Sequence, residues 1–493
     1  MPTRNPGPIE QRQRRDKLRL ALLVLGGLVS ATAACSPPEH VPVRAVVLIS
    51  CDTLRADRLG MYGYERDTSP NLDAFAKHGV RFERAYATAP HTNPALSSLL
   101  TSRLPDEIGV AGGNRTLMPA SIETLPEWLG EAGIESAAIV SNWALRRAGA
   151  HQGDVGVSQG FAHFDDDMGS EAGLRAGHFE RLADATTDAA IRWLDANAAG
   201  EERFFLWVHY QDPHGPYTPP ASQLGRYEST PQPGLLPRLG TTQEGFGQIP
   251  HYQILEGRRE PGWYRDRYDE EIRFFDQEVG RLLRGLDERG VFADSLVIFT
   301  ADHGESLGEH NYWFTHEANL YDEEVRVPLV VRAPEGVPLA SASELVSHLD
   351  VAPTVLHALG LPARPARGSS LLTGDLPDDR IVPHSLHPED SPLRWFAITD
   401  ARYRLVLPRS GPQLFDYRND PEELRDLAAD EPDRVESMID RYRAFAAKIP
   451  APPRVEVVEL DVDDDTRAAL EALGYLPPDE DDEAANDTGD PRP

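Results

Sequence analysis

An almost unbroken apolar run, "VRAVVLIS", occupies residues 43–50, and the same texture returns in "RFFLWVHY" at 203–210 and "SLVIFT" at 295–300. Runs of this length without alternation predict strands buried on both faces, as in a parallel sheet. "IESAAIVS" (134–141), "VRFERAYAT" (80–88) and "VRVPLVV" (325–331) are further strand candidates. Helical signals fall between them. "SPNLDAFAKHG" offers Ser69 as a cap, Pro70 in the first turn and Gly79 as a stop. "NPALSSLLTS" has Pro94 in a first turn, and "SIETLPEWLGEAG" and "FERLADATTDAAIRWLDANAA" read as helices. Ile272, Phe275, Val279, Leu282, Leu283 and Leu286 follow helical spacing. Alternation of strand and helix up to about residue 360 predicts an α/β fold, a large mostly parallel sheet sandwiched by helices. After Pro392 the pattern changes to short strands in "RWFAITDARYRLVLP" and "PQLFDY" and one helix near 431–447, a small C-terminal α+β subdomain. The predicted division is a catalytic domain at 43–390, the subdomain at 391–476 and an acidic, disordered tail at 477–493. Residues 221–262, rich in Pro, Gly and Gln, read as a long insertion loop that shapes a pocket.

Composition narrows the partners. A formal net charge of −31, from 49 basic and 80 acidic residues, argues against nucleic acid. The cysteines are Cys35 and Cys51. Cys51 ends an apolar run and reads as a small buried hydrophobe. Residues 1–35 have the form of an export signal, with basic "RQRRDKLRL", apolar "LALLVLGGLVS" and small-residue "ATAAC". Small residues before a lone cysteine are similar to a bacterial lipobox, although Thr32 replaces its usual Leu. The expectation is an exported protein of the cell envelope, periplasmic or at the outer membrane, lipid-anchored through Cys35.

In open α/β sheets, active sites form beyond the carboxyl ends of the strands. There the chain places Asp52, then His91 and Thr92, then Asp212 and His214 in "QDPHGPY", then Asp302, His303 and Glu305 in "ADHGES"; "YWFTHEANLY" adds His316. Two carboxylates and an imidazole suit a divalent ion such as zinc or manganese, with calcium also possible. Each of these acids alone is equally a turn residue or a helix cap. Thr92 has the same two readings. It is either an ordinary N-cap, or a hydroxyl activated by a metal at a helix start that favours anions. His214 and His316 could bind substrate oxygens or protonate a leaving group.

Taken in order, these segments resemble the sulfatase family of the alkaline phosphatase superfamily. "VVLISCDTLRADRLGMYGY", "SPNLDAFAKHGVRFERAYATAP", "LLTSRLP", "FFLWVHYQDPHGPY", "ADHGESLGEH", "LYDEEVRVPLVV", "LFDYRNDPEELRDLA" and "LEALGYL" carry the resemblance through most of residues 43–476. It implies that Asp52, Asp302 and His303 hold a metal and that His214 and His316 contact the anionic group or leaving oxygen. Thr92 falls on the nucleophile of the C/S-x-P-x-R motif. Here the chain departs from the family. Thr92 cannot be converted to formylglycine, Leu96 stands in place of Arg, and Thr53 replaces a second aspartate. Asn142 and Ala144 stand where many sulfatases carry Lys and His, so Asn142 is the substrate-side residue expected there. By analogy with the superfamily's phosphoethanolamine transferases and lipoteichoic acid synthases, Asp52, Thr92, Asp302 and His303 make a one-metal set.

The expected activity is metal-dependent hydrolysis, or transfer, of a sulfuric or phosphoric ester of an anionic small molecule, glycan or lipid. Thr92 points to phosphoryl or phosphonyl transfer through a covalent threonine intermediate, because a threonine sulfate lacks the exit that a formylglycine hydrate provides. The alternative is a catalytically weak or inactive relative that binds anionic glycans or lipids, suggested by the lost cationic residues.

Overall fold

The structure, a computed structural model, describes residues 43–110, 118–147, 156–168, 181–230, 236–242, 244–373, 376–386 and 395–449. The export signal, Cys35, the acidic tail and "LEALGYL" lie outside the described residues.

The centre of the fold is a 7-stranded sheet. Its strands are β1 (Ala45–Cys51), β2 (Val80–Arg81), β3 (Glu135–Val140), β4 (His163–Asp165), β5 (Phe204–Tyr210), β6 (Ser295–Ala301) and β7 (Leu329–Arg332). They lie in the order β2-β7-β6-β1-β5-β3-β4. Every residue of β1, β5 and β6 is buried, as their unbroken apolar runs require. β1 pairs in parallel with both β5 and β6, and β7 is antiparallel to β6. The sheet is mostly parallel, as expected. The 80–88 candidate strand is divided. Val80–Arg81 joins the main sheet, whereas Arg84–Tyr86 pairs with Leu345–Ser347. The 325–331 candidate begins later, at Leu329, because Asp322–Val325 forms a helical turn.

The main helices are α1 (Pro70–Ala76), α2 (Thr92–Thr101), α3 (Leu125–Glu131), α4 (Ala183–Asn197), α5 (Pro261–Glu288), α6 (Val351–Ala358) and α7 (Pro432–Ala446). Side chains along β5 alternate between the faces of the sheet. On one face Phe204 meets Trp193 of α4 at 5.3 Å between centroids, and Tyr210 meets Phe275 of α5 at 5.1 Å. On the other, Phe205 and Trp207 stack on Phe161 at 6.1 and 5.8 Å. α3 starts with a full capping box between Thr124 and Glu127.

A separate antiparallel sheet contains β8 (Val382–Leu386), β9 (Trp395–Thr399), β10 (Arg404–Leu407) and β11 (Gln413–Phe415), in that order. It therefore begins at Val382, ahead of the sequence boundary at residue 391. Phe396 and Ile398 face Val435 and Met438 of α7, while Ala397 turns to a cluster with Tyr86 and Val325 of the larger domain. Arg404 is wholly buried between them. It pairs with Glu423 and Asp322, each at 2.6 Å, and stacks over Tyr86.

Candidate active site

Register brings the site together. Cys51 of β1 lies opposite Tyr210 of β5 and Ala301 of β6, so these strands end in line. The next residues continue the ladder. Asp52 N donates to Tyr210 O at 2.9 Å, and Asp302 N donates to Cys51 O at 3.0 Å. Asp52 and Asp302 therefore emerge side by side, with His303 directly following. One ligand atom from each of Asp52, Asp302 and His303 lies within 4.8 Å of the others, and all three side chains are buried.

Each of these groups has one atom anchored by protein and one left over. Asp302 Oδ1 accepts from His303 N at 2.7 Å and Thr53 N at 3.2 Å, while Oδ2 has no hydrogen-bond partner. Asp52 Oδ2 accepts from Asn142 Nδ2, while Oδ1 has no partner. His303 Nδ1 donates to Gly304 O at 2.9 Å, which leaves Nε2 without a proton or a partner. Nε2 is 3.7 Å from both Asp52 Oδ1 and Asp302 Oδ2. Buried, unpartnered atoms of this kind are costly unless a cation meets them. The donor set, two carboxylates and a neutral imidazole held by an outer layer of hydrogen bonds, fits a divalent ion. Without a cation, burial and then the charge of Asp302 push Asp52 well above the usual carboxylate range. Burial pushes Asp302 up to about 7, and burial with the nearby His316 pushes His303 well down.

Thr92 is the first residue of α2, not its cap; His91 takes the cap position, with no side-chain capping bond. Thr92 Oγ1 is buried and makes no hydrogen bond. The capping reading of Thr92 is therefore removed. Thr53, directly after Asp52, holds φ +53, a rare value for a β-branched residue. Its N–H serves Asp302, and its carbonyl accepts from Tyr268 Oη at 2.7 Å.

His316 packs tilted against His303 and edge-on to His214, with ring centroids 4.9 and 5.0 Å away. His214 Nδ1 lies 2.6 Å from Gly215 O, within a turn where the peptide bonds before Pro213 and Pro216 are both cis. His316 Nδ1 is 3.3 Å from Glu305 Oε2. Burial would lower the His316 pKa, but Glu305 raises it to about 10 in the metal-free site, which favours the imidazolium. Glu305 is itself held by Tyr217 Oη at 2.8 Å and Gln253 Nε2 at 3.4 Å. Asn142, expected on the substrate side, instead spends its amide on Asp52 and its oxygen on Ala144 N.

Sequence reading did not single out Glu317, Tyr217, Tyr252 or Gln253. Tyr252 stacks beside His214 at 6.5 Å. Gln253 fills the space where a side chain on Gly215 would lie. Both come from the 221–262 insertion, so that loop does line the site. It also extends the hairpin that carries His316. Trp313 N donates to Gly245 O at 3.0 Å and Gly247 N donates to Asn311 O at 2.8 Å.

The family model named Sulfatase matches residues 44–361. The chain belongs to the sulfatase family. A second model, N-sulphoglucosamine sulphohydrolase, C-terminal, matches residues 308–442. Among relatives of this sulfatase is an uncharacterized sulfatase, YidJ, of Escherichia coli, 25% identical over 425 residues, covering 78% of this chain and 83% of the relative. The choline-sulfatase of Rhizobium meliloti is 25% identical over 413 residues, covering 73% of this chain and 77% of the relative. The phosphonate monoester hydrolase of Agrobacterium radiobacter superposes with a TM-score of 0.64 at 21% identity, covering 83% of this chain and 96% of that one. The family and its alkaline phosphatase-like fold are those the motifs implied. The protein is an ester-bond hydrolase of a family that generally depends on a divalent metal, acting on an anionic ester.

Proposed function

We propose that this sulfatase relative hydrolyses a phosphate or phosphonate ester through Thr92, using one divalent ion held by Asp52, Asp302, His303 and Thr92. The observation that carries the reading is the set of buried atoms without hydrogen-bond partners: Asp52 Oδ1, Asp302 Oδ2, His303 Nε2 and Thr92 Oγ1. An imidazole among the ligands favours zinc or manganese over calcium. The bound ion supplies positive charge that neutralises the two carboxylates and lowers the pKa of a nearby hydroxyl.

The chain's own groups then divide the work. Thr92 Oγ1 loses its proton to solvent and attacks phosphorus, and the bond from phosphorus to the leaving oxygen breaks. His316, an imidazolium beside Glu305, gives that oxygen a proton. His214 faces the same ring and orients the anionic group. Water then attacks phosphorus and gives one proton to His316, the bond from phosphorus to Thr92 Oγ1 breaks, and Thr92 takes back from solvent the proton that it lost. A threonine sulfate would resist this second step, because it cannot collapse to an aldehyde and water must attack sulfur. The sulfatase relatives include enzymes named for a sulfate ester and for phosphonate monoesters, so family membership is compatible with both chemistries. The export signal read at residues 1–35 supports a cell-envelope setting for this hydrolysis, with Cys35 as the proposed lipid anchor.

The test is a substrate panel of aryl sulfate, phosphate monoester, phosphate diester and phosphonate ester, each with added zinc, manganese or calcium. Phosphorus esters should turn over, Thr92→Ala should abolish that turnover, and mass spectrometry should find a phosphate adduct on Thr92. Sulfate turnover that survives Thr92→Ala would remove the nucleophile assignment. No turnover and no bound metal would leave a protein that only binds anions.

A further inference from the structure

Beside the imidazoles stands a carboxylate that the ester chemistry does not require. Glu317 Oε1 lies 2.7 Å from His91 Nδ1, on the residue just before the nucleophile, and 4.0 Å from His316 Nε2. The other nitrogen of His316, Nδ1, faces Glu305. The backbone is bent to place this group. Glu317 holds φ +62 and Phe314 holds φ +49, both in the left-handed region that favours glycine. Burial pushes the acid upward, but the charges of His91, His316 and His214 bring it down to about 2, so the carboxylate is ionised at any working pH.

We propose that Glu317 makes the site selective for esters whose reacting group carries one negative charge (phosphodiesters and phosphonate monoesters) over phosphate monoesters, which carry two. The proposal rests on the ester-hydrolase reading above. A fixed negative charge a few ångströms from the reacting group repels a dianion twice as strongly as a monoanion. The Glu317 side chain is 30% exposed, so added salt should weaken this repulsion in part. The imidazoles gathered by Glu317 still present N–H groups that can meet a single charge. Leu96 and Asn142 are uncharged, so neither supplies a cation that would offset the second charge. Glu317 is thus a specificity-determining residue, and one carboxylate spans the cap of the nucleophile's helix and the leaving-group side of the site.

The test compares 4-nitrophenyl phosphate with methyl 4-nitrophenyl phosphate at pH 8, which differ in charge and share a leaving group. Wild type should favour the diester in kcat/KM by about ten-fold or more. Glu317→Gln should shrink that preference by about ten-fold, chiefly through a lower KM for the monoester. Glu317→Asp should keep the wild-type preference while both rates fall. Wild-type preference for the monoester, or a ratio unmoved by Glu317→Gln, would overturn the proposal. Calorimetric binding of phenylphosphonate and its monomethyl ester gives the same comparison without turnover. Charge discrimination in binding with no hydrolysis of any ester would overturn the hydrolase reading and support the role of Glu317. Equal binding of both with ester hydrolysis intact would do the reverse.

Discussion

Asn142 shows how one amide can decide the state of a carboxylate. Its Nδ2 donates to Asp52, and its oxygen is fixed by the N–H of Ala144. The amide therefore cannot rotate without breaking both bonds, and Asp52 is left with one oxygen aimed at His303. Asn142→Ala should weaken zinc or manganese binding by about 10–100-fold with little change in fold, the usual effect of removing an outer partner of a metal ligand. A calorimetric titration of each ion checks this, and unchanged affinity would count against Asp52 as a ligand. The lesson for reading sequence is local. Asp52, Asp302 and His303 were legible because each ends a strand whose apolar run is unmistakable. The task of Asn142 was not, since nothing in "SNWALRR" reveals which way an amide points. Glu317 was hidden further, because its only signal was adjacency to His316. Its importance arises from a backbone turn that no propensity indicates.

The elements divide in the same manner. β1, β5 and β6 were legible, being buried on both faces. The break within residues 80–88 was not, because Phe82 and Glu83 separate segments with different partners rather than different textures. Gly245 and Gly247 of the insertion loop sit in no periodic pattern, so their backbone bonds to Trp313 and Asn311 had no sequence signature. Between the large domain and the C-terminal sheet, the buried Arg404 is the element-level joint. Its partners Glu423 and Asp322 are poorly exposed to solvent. Arg404→Met should lower stability by about 3–5 kcal/mol, because it strands two carboxylates rather than because it loses a favourable pair. Urea unfolding measures this, and replacing Glu423 by Gln in the same chain should recover part of the loss. A change below about 1 kcal/mol would mean that water reaches the pair.

For the whole molecule, the bound ion and stability are linked. A ligand that binds only the folded state adds about 2.7 kcal/mol at a hundred times its Kd, so chelation should lower Tm. The effect has a definite pH sign. In metal-free protein, burial raises Asp302 from its ordinary range to about 7. The stability tied to that proton is fully present below the unfolded pKa and is lost as pH rises through the folded one. The drop in Tm on chelation should therefore be larger at pH 8 than at pH 5.5, as calorimetry with and without chelator would show; equal drops at both would mean that these carboxylates are not what the ion shields. One pair of contacts joins distant parts of the described chain. His384 Nδ1 donates to Ala87 O at 2.8 Å, and Ser385 N donates to Thr88 O at 3.0 Å, so β8 braces the segment leading into Thr92. During synthesis, Thr92 emerges from the ribosome almost three hundred residues before the strand that steadies its segment. A chain still being made therefore carries Thr92 without this brace until residues 384 and 385 have arrived.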